Sequence, residues 1–144
     1  MEAMIIFVMA DRKWMDWGAM MSTLSQLDPR MTTIVHGDEI LPFDDILNQE
    51  AQRLGMCVKI YPVEWHKYQR SAPEKRNRMV LVTEHPDLVL LFTDGLLLAE
   101  NIAGSDIITM ATGMGVPVMR VYHHSDTGKV VSEWILPHDS HPHL

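Results

Sequence analysis

Short runs rich in Ile and Val alternate along this chain with longer segments whose apolar residues recur every three or four positions. That alternation predicts parallel strands joined by crossover helices, because a strand buried on both faces reads as a continuous apolar run while a covering helix shows only an apolar stripe. Strands are expected at 4–9, 32–36, 57–61, 88–92 and 118–123, with the wholly apolar 88–92 at the centre. Asp16 is placed to cap a helix over 17–27, which Asp28-Pro29 stops. Phe43, Ile46, Leu47, Ala51 and Leu54 form one face of a helix over 43–54, with Gly55 at its C-terminal cap.

Segment 64–70 shows no period and reads as a loop carrying Trp65 and Tyr68. Ser71 and Glu74 make a capping-box pattern around Pro73, predicting a helix over 73–83. A long loop over 93–104 follows the central strand, and Ser105 is expected to cap the next helix, which ends near 113–115. After the turn signal Asp126-Thr127-Gly128, residues 129–136 return as an antiparallel edge strand. The expected fold class is thus α/β: a three-layer sandwich with a mostly parallel sheet of about five strands plus a C-terminal antiparallel edge strand. A single domain is expected over 1–136, followed by a flexible tail over 137–144.

Composition narrows the function classes. Twelve Lys plus Arg against nineteen Asp plus Glu give a formal charge of -7, which argues against general nucleic-acid or anionic-membrane binding. Cys57 is the only cysteine, so no disulfide forms within the chain and a Cys-based zinc site is not expected. Its position inside a strand reads as a small buried hydrophobe. The apolar start over 1–9 is too short, and acidic at Glu2, for a signal peptide, and 88–99 is interrupted by Asp94 and Gly95. Neither secretion nor a membrane span is expected, which points to the cytoplasm.

In an open parallel sheet, ligands bind beyond the carboxyl ends of the strands. That rule marks the loops 10–16, 37–44, 65–77 and 93–105. The third leads into Lys75-Arg76-Asn77-Arg78, the densest basic cluster of an acidic chain. Three cations near a helix start oppose the helix dipole, a conflict that an anionic ligand relieves; the alternative is a solvated basic face. Ala103-Gly104-Ser105 offers close backbone approach at a helix start, a pattern that a simple cap also explains. Neither a Walker A loop nor a GxGxxG run is present.

Taken in order, Arg12-Lys13-Trp14-Met15-Asp16, His36-Gly37, Asp44, Gly55-Met56-Cys57-Val58 into Tyr61-Pro62-Val63-Glu64-Trp65, Ala72-Pro73, Arg76-Asn77, Pro86-Asp87-Leu88-Val89, Phe92-Thr93-Asp94-Gly95, Gly104-Ser105 and Gly115-Val116-Pro117-Val118 resemble the YspA-related branch of the SLOG superfamily. The resemblance spans about residues 4–122. It implies a Rossmann-like domain, related to the LOG and DprA/Smf proteins, that takes a nucleotide-derived small molecule such as an ADP-ribose-like compound or a nucleoside phosphate. Carried over by position, it implies a pocket of Arg12, Trp14, His36, Gly37, Asp44, Arg76, Asn77, Asp94, Gly95, Gly104 and Ser105, with no other cofactor required. Homo-oligomers are common in the superfamily.

Departures from the pattern carry information of their own. Ala10-Asp11 stands where the branch has a small Gly-Gly or Gly-Ser pair, so Asp11 repels a phosphate unless it binds a ribose hydroxyl. Pro42-Phe43-Asp44 replaces Gly-Ala-Asp, which either stacks on a base or blocks one. Leu96-Leu97-Leu98 is an apolar run within the long loop and supplies a reason for assembly into a homo-oligomer. Trp14, Trp17 and Trp65 fall near the expected pocket, where an aromatic face stacks on a base or simply packs. His123, His124, His138, His141 and His143 read as surface histidines rather than metal ligands, and no metal site is expected.

Binding by a sensor, carrier or sequestering protein is therefore the leading expectation. A LOG-like phosphoribohydrolase is the alternative, and a ligand-free interaction protein on the same fold the third. LOG-like hydrolysis resembles an Arg on the phosphate plus a catalytic Glu. Arg76 matches the first, but Ile108 stands at the Glu position, leaving Glu100 as the one candidate catalytic carboxylate.

Overall fold

The computed structural model describes residues 3–95 and 102–137, and of 102–106 the backbone only. The described residues form a six-stranded sheet: β1 Met4–Ala10, β2 Thr32–His36, β3 Cys57–Ile60, β4 Leu88–Phe92, β5 Val118–His123 and β6 Val130–Ile135. The helices are α1 Trp17–Ser25, α2 Phe43–Arg53, the short α3 Trp65–Tyr68, α4 Ala72–Glu84 and α5 Ile102–Gly113. Strand order is β3-β2-β1-β4-β5-β6, with β1 to β5 parallel and β6 antiparallel to β5. The first five strands follow the doubly wound order, whose direction reverses between β1 and β4.

Alternate residues of the central strands feed two cores. Ile6, Val8 and Ala10 of β1 face Met20 and Leu24 of α1 and Leu47 and Ala51 of α2. Phe7 and Met9 face the opposite way, toward Val80 and Leu81 of α4 and Ile107 and Ala111 of α5. All five residues of β4 are buried, as its apolar run requires. At about 2–5 kcal/mol for truncating a buried leucine to alanine, either core is a large fraction of a domain's stability.

Local signals set most element ends. The Asp16 carboxylate caps α1 by accepting from the Ala19 amide at 2.9 Å. Gly55 follows α2 with φ +86, a conformation that favours glycine.

Four expectations are corrected. Cys57 is exposed, not buried, because β3 is, among the described residues, an edge strand with β2 as its one neighbour. Segment 64–70 contains α3 and the start of a 3₁₀ turn, Gln69–Ser71. The Ser71 hydroxyl donates to the Tyr68 carbonyl at 2.9 Å and makes no cap for α4. Ser105 lies within α5, which already begins at Ile102, and so does not stand at that helix's N-cap position. Leu96, Leu97, Leu98 and Glu100, and the tail histidines His138, His141 and His143, lie outside the described residues. No helix among the described residues is long and apolar enough to cross a membrane.

Candidate functional site

Two polar clusters sit at the carboxyl ends of the parallel strands. The first lies at the strand-order reversal, where the chain leaves β1 and β4. Asp11, the first residue after β1, accepts from the Lys13 amide at 2.9 Å and from the Thr93 hydroxyl at 3.2 Å, tying the two exits together. The resulting turn delivers Trp14 into the core, where it meets Phe92 at 5.4 Å between ring centroids. Asp11, Lys13, Trp14, Asp94 and Gly95 line a cavity of about 290 Å³.

Arg120 on β5 fixes the far wall. Its Nε donates to the Thr93 carbonyl at 3.2 Å and Nη2 to the Gly95 carbonyl at 2.8 Å, while Nη1 pairs with Glu133 at 3.0 Å. Its guanidinium also lies 4.0 Å from the Tyr122 ring centroid.

His123, the last residue of β5, contacts two residues of that lining, Asp94 and Trp14. Nδ1 lies 2.8 Å from Asp94 Oδ2, and Nε2 lies 2.7 Å from Asp16 Oδ2. Ionised carboxylates only accept hydrogen bonds, so satisfying both contacts requires a proton on each ring nitrogen. The Asp16 bond, followed by the Asp94 bond, raises the His123 pKa above its ordinary 6.5. The imidazole stacks on Trp14, 4.7 Å between centroids at 20°. The reading of His123 as an incidental surface histidine is thereby corrected.

The second cluster joins the ends of β2 and β3 to α2 and α4. His36, Gly37, Asp44, Arg76 and Asn77 are all buried, and apart from Gly37, which supplies backbone, their side chains bond within the chain. His36 Nδ1 lies 2.6 Å from the Gly37 carbonyl, and Nε2 lies 3.0 Å from the Asn48 side-chain oxygen. Asp44 accepts from the Ile40 amide at 3.0 Å. Burial, reinforced by nearby Glu39 and Asp38, pushes its carboxyl up from 3.8 to about 7.

Arg76 Nε donates to Asn77 Oδ1 at 2.8 Å, and Nη1 donates to Glu39 Oε1 at 2.9 Å and to the Tyr61 carbonyl at 3.2 Å. Nη2 bonds the other Glu39 oxygen. Of the three cations at the helix start, Arg76 thus has its anion within the chain, in Glu39. A Cβ on Gly37 would fall 2.1 Å from Arg76 Nη1 and 2.2 Å from Glu39 Oε1, so this pair needs a glycine beneath it. Arg76 also lines a separate cavity of about 180 Å³ with Lys75, Tyr61 and Tyr68.

The expected residues thus divide between two places. Trp14, Asp94 and Gly95 surround the crevice, and Arg12 is exposed beside it in sequence. His36, Gly37, Asp44, Arg76 and Asn77 converge in the buried network. Gly104 and Ser105 lie in the first turns of α5, and Ile108 packs against the core. Trp17 meets Phe43 at 6.5 Å, and Trp65 is exposed on α3. Among the described residues no group of three or more His, Cys, Asp or Glu side chains is arranged to hold a metal ion. Sequence reasoning missed Glu39, Arg120 and His123 as site residues. An arginine inside the apolar run 118–123 was the one available signal.

No family model and no curated protein sequence matches this chain. Among solved structures, it is similar to the crystal structure of the cytoplasmic domain of a prokaryotic cation chloride cotransporter, at 14% identity and a TM-score of 0.46, over 89% of this chain and 48% of that one. The chain spans about half the length of that structure's chain.

Proposed function

We propose that the protein binds a nucleotide-derived small molecule, an ADP-ribose-like compound or a nucleoside phosphate, as a sensor, carrier or sequestering protein. The observation that carries the reading is the cavity between the Asp11–Trp14 turn and the Asp94–Gly95 exit, at the reversal of strand order where doubly wound sheets take their ligands. The ordered residues that resemble the YspA-related branch of the SLOG superfamily support it, and so does the chemistry of the lining. Trp14 borders the cavity although its indole is buried beneath the His123 ring, and carboxylates at Asp11 and Asp94 suit ribose hydroxyls or base amino groups better than phosphate.

Mass spectrometry of small molecules released from the purified, heat-denatured protein tests this. Near-stoichiometric release of a nucleotide-derived compound supports it. A released compound of another class contradicts it.

The Arg76–Glu39 pair favours a second reading, an interaction protein on the same fold that takes no nucleotide, since that arginine has its anion already. A LOG-like hydrolase requires Glu100 at the crevice, and multiple turnovers of nucleoside monophosphates that disappear in Glu100→Gln decide for it. Assembly through Leu96, Leu97 and Leu98 belongs to the proposal. Light scattering expects a mass above the monomer that Leu97→Asp reduces; monomers in both chains contradict it.

A further inference from the structure

His123 is held like a small ligand. One face of its ring lies on the Trp14 indole, and its two nitrogens meet carboxylates from different elements, Asp16 at the start of α1 and Asp94 after β4. Its side chain is 29% exposed at the end of β5, so it can swing outward, and doing so uncovers the Trp14 indole, 3% exposed with the ring in place. Asp94 stays anchored in that event, because its Oδ1 also accepts from the His123 backbone amide at 2.6 Å. Among the described residues, the charged groups bonded to the ring are Asp16 and Asp94, with Asp11 and Lys13 along the adjoining cavity.

We propose that the His123 ring is a proton-controlled stand-in for a planar heterocycle, and that its outward swing exposes a subsite on Trp14 flanked by Asp16 and Asp94 for a nucleobase edge bearing amino or imino donors. Guanine, with N1–H and an exocyclic amine, suits two carboxylate acceptors; uracil, with one donor, suits them less. The inference rests on the nucleotide reading above.

The proton supplies the control. Doubly protonated, the ring satisfies both carboxylates; neutral, it presents a lone pair to one of them and loses that bond. Because the folded pKa is raised, the latch is complete below pH 6.5 and weakens as pH rises through the folded value. Apparent affinity scales with the open fraction, so it falls by up to about tenfold per pH unit below the transition.

Two measurements separate latch from ligand. Tryptophan fluorescence of the wild type minus that of Trp14→Phe, followed from pH 5 to 9 without ligand, is expected to rise in one step with a midpoint above 6.5, because a stacked imidazolium quenches indole. His123→Gln should abolish the step; a flat wild-type profile, or a step kept in His123→Gln, overturns the latch. Calorimetry with guanosine and uridine monophosphates at pH 5.5 and 8.5 is expected to show tighter guanosine binding at the higher pH, with the pH effect lost in His123→Gln. Binding of equal strength at both pH values overturns the inference alone. An intact fluorescence step with no binding of either nucleotide overturns the ring subsite, and the functional reading falls with it where ADP-ribose also fails to bind.

Discussion

Glu39 grips Arg76 with both carboxylate oxygens, and the two side chains are 9% and 4% exposed. Charge pairs this deep are strongly favourable only relative to losing one partner. Arg76→Ala should therefore destabilise the protein by about 3–5 kcal/mol in urea denaturation, whereas Arg76→Met with Glu39→Leu should recover most of the loss. A single variant as stable as the wild type would show that the pair is not load-sharing in solution.

Gly37 provides an independent reading of the same contact. Its missing Cβ is the space in which the two charged groups meet, so Gly37→Ala should cost about 1–3 kcal/mol. In the Arg76→Met, Glu39→Leu background the cost should shrink toward zero, since coupling of this kind vanishes with the partner. The double-mutant cycle measures it, and a cost unchanged between backgrounds would contradict the close approach.

Asp44 sets a pH dependence. Its carboxyl is raised from 3.8 to about 7 by burial, so between these values the folded chain holds a proton that the unfolded chain has released. Its stabilising contribution is complete below pH 3.8 and is lost as pH rises to about 7, by up to about 1.4 kcal/mol per pH unit. Asp44→Asn keeps an oxygen for the Ile40 amide and should flatten this part of the stability profile. Urea midpoints across pH 4–8 that show the same slope in both proteins would contradict it.

Asp16 serves two neighbours, and the two can be separated. Asparagine is as good an N-cap as aspartate, so Asp16→Asn should keep α1 within a few tenths of a kcal/mol while removing the charge opposite His123. Asp16→Ala should cost about 0.5–2 kcal/mol by losing the cap as well. Proton NMR should find the His123 titration shifted downward in both variants; an unshifted titration would mean that Asp16 does not hold the ring.

What could be read from the sequence follows from what is local. The spans of β2 and β5 match the expected ones because an apolar run bounded by turn residues is its own signal. The Asp16 cap was legible for the same reason. Cys57 was misjudged because an apolar strand does not announce whether it has one neighbour or two. Ser71 followed a local pattern that a second local bond, to Tyr68, overrode. The decisive contacts of the site were out of reach: Glu39 and Arg76 are 37 positions apart, and Asp16 and His123 are 107 apart. Only the fold brings such pairs together. The basic cluster was read as calling for an anionic ligand, and nothing in the spacing named Glu39 as the partner that Arg76 has within the chain.

The central claim, a nucleotide-derived ligand in the crevice between the exits of β1 and β4, is tested most directly by mapping backbone amide shifts in ¹⁵N-labelled protein titrated with guanosine monophosphate and with ADP-ribose at pH 8.5. Saturable changes are expected, concentrated at Asp11, Lys13, Trp14, Asp94 and Gly95. Titration to millimolar ligand with those amides unmoved, or with changes confined to Lys75 and Met79 on α4, would contradict it.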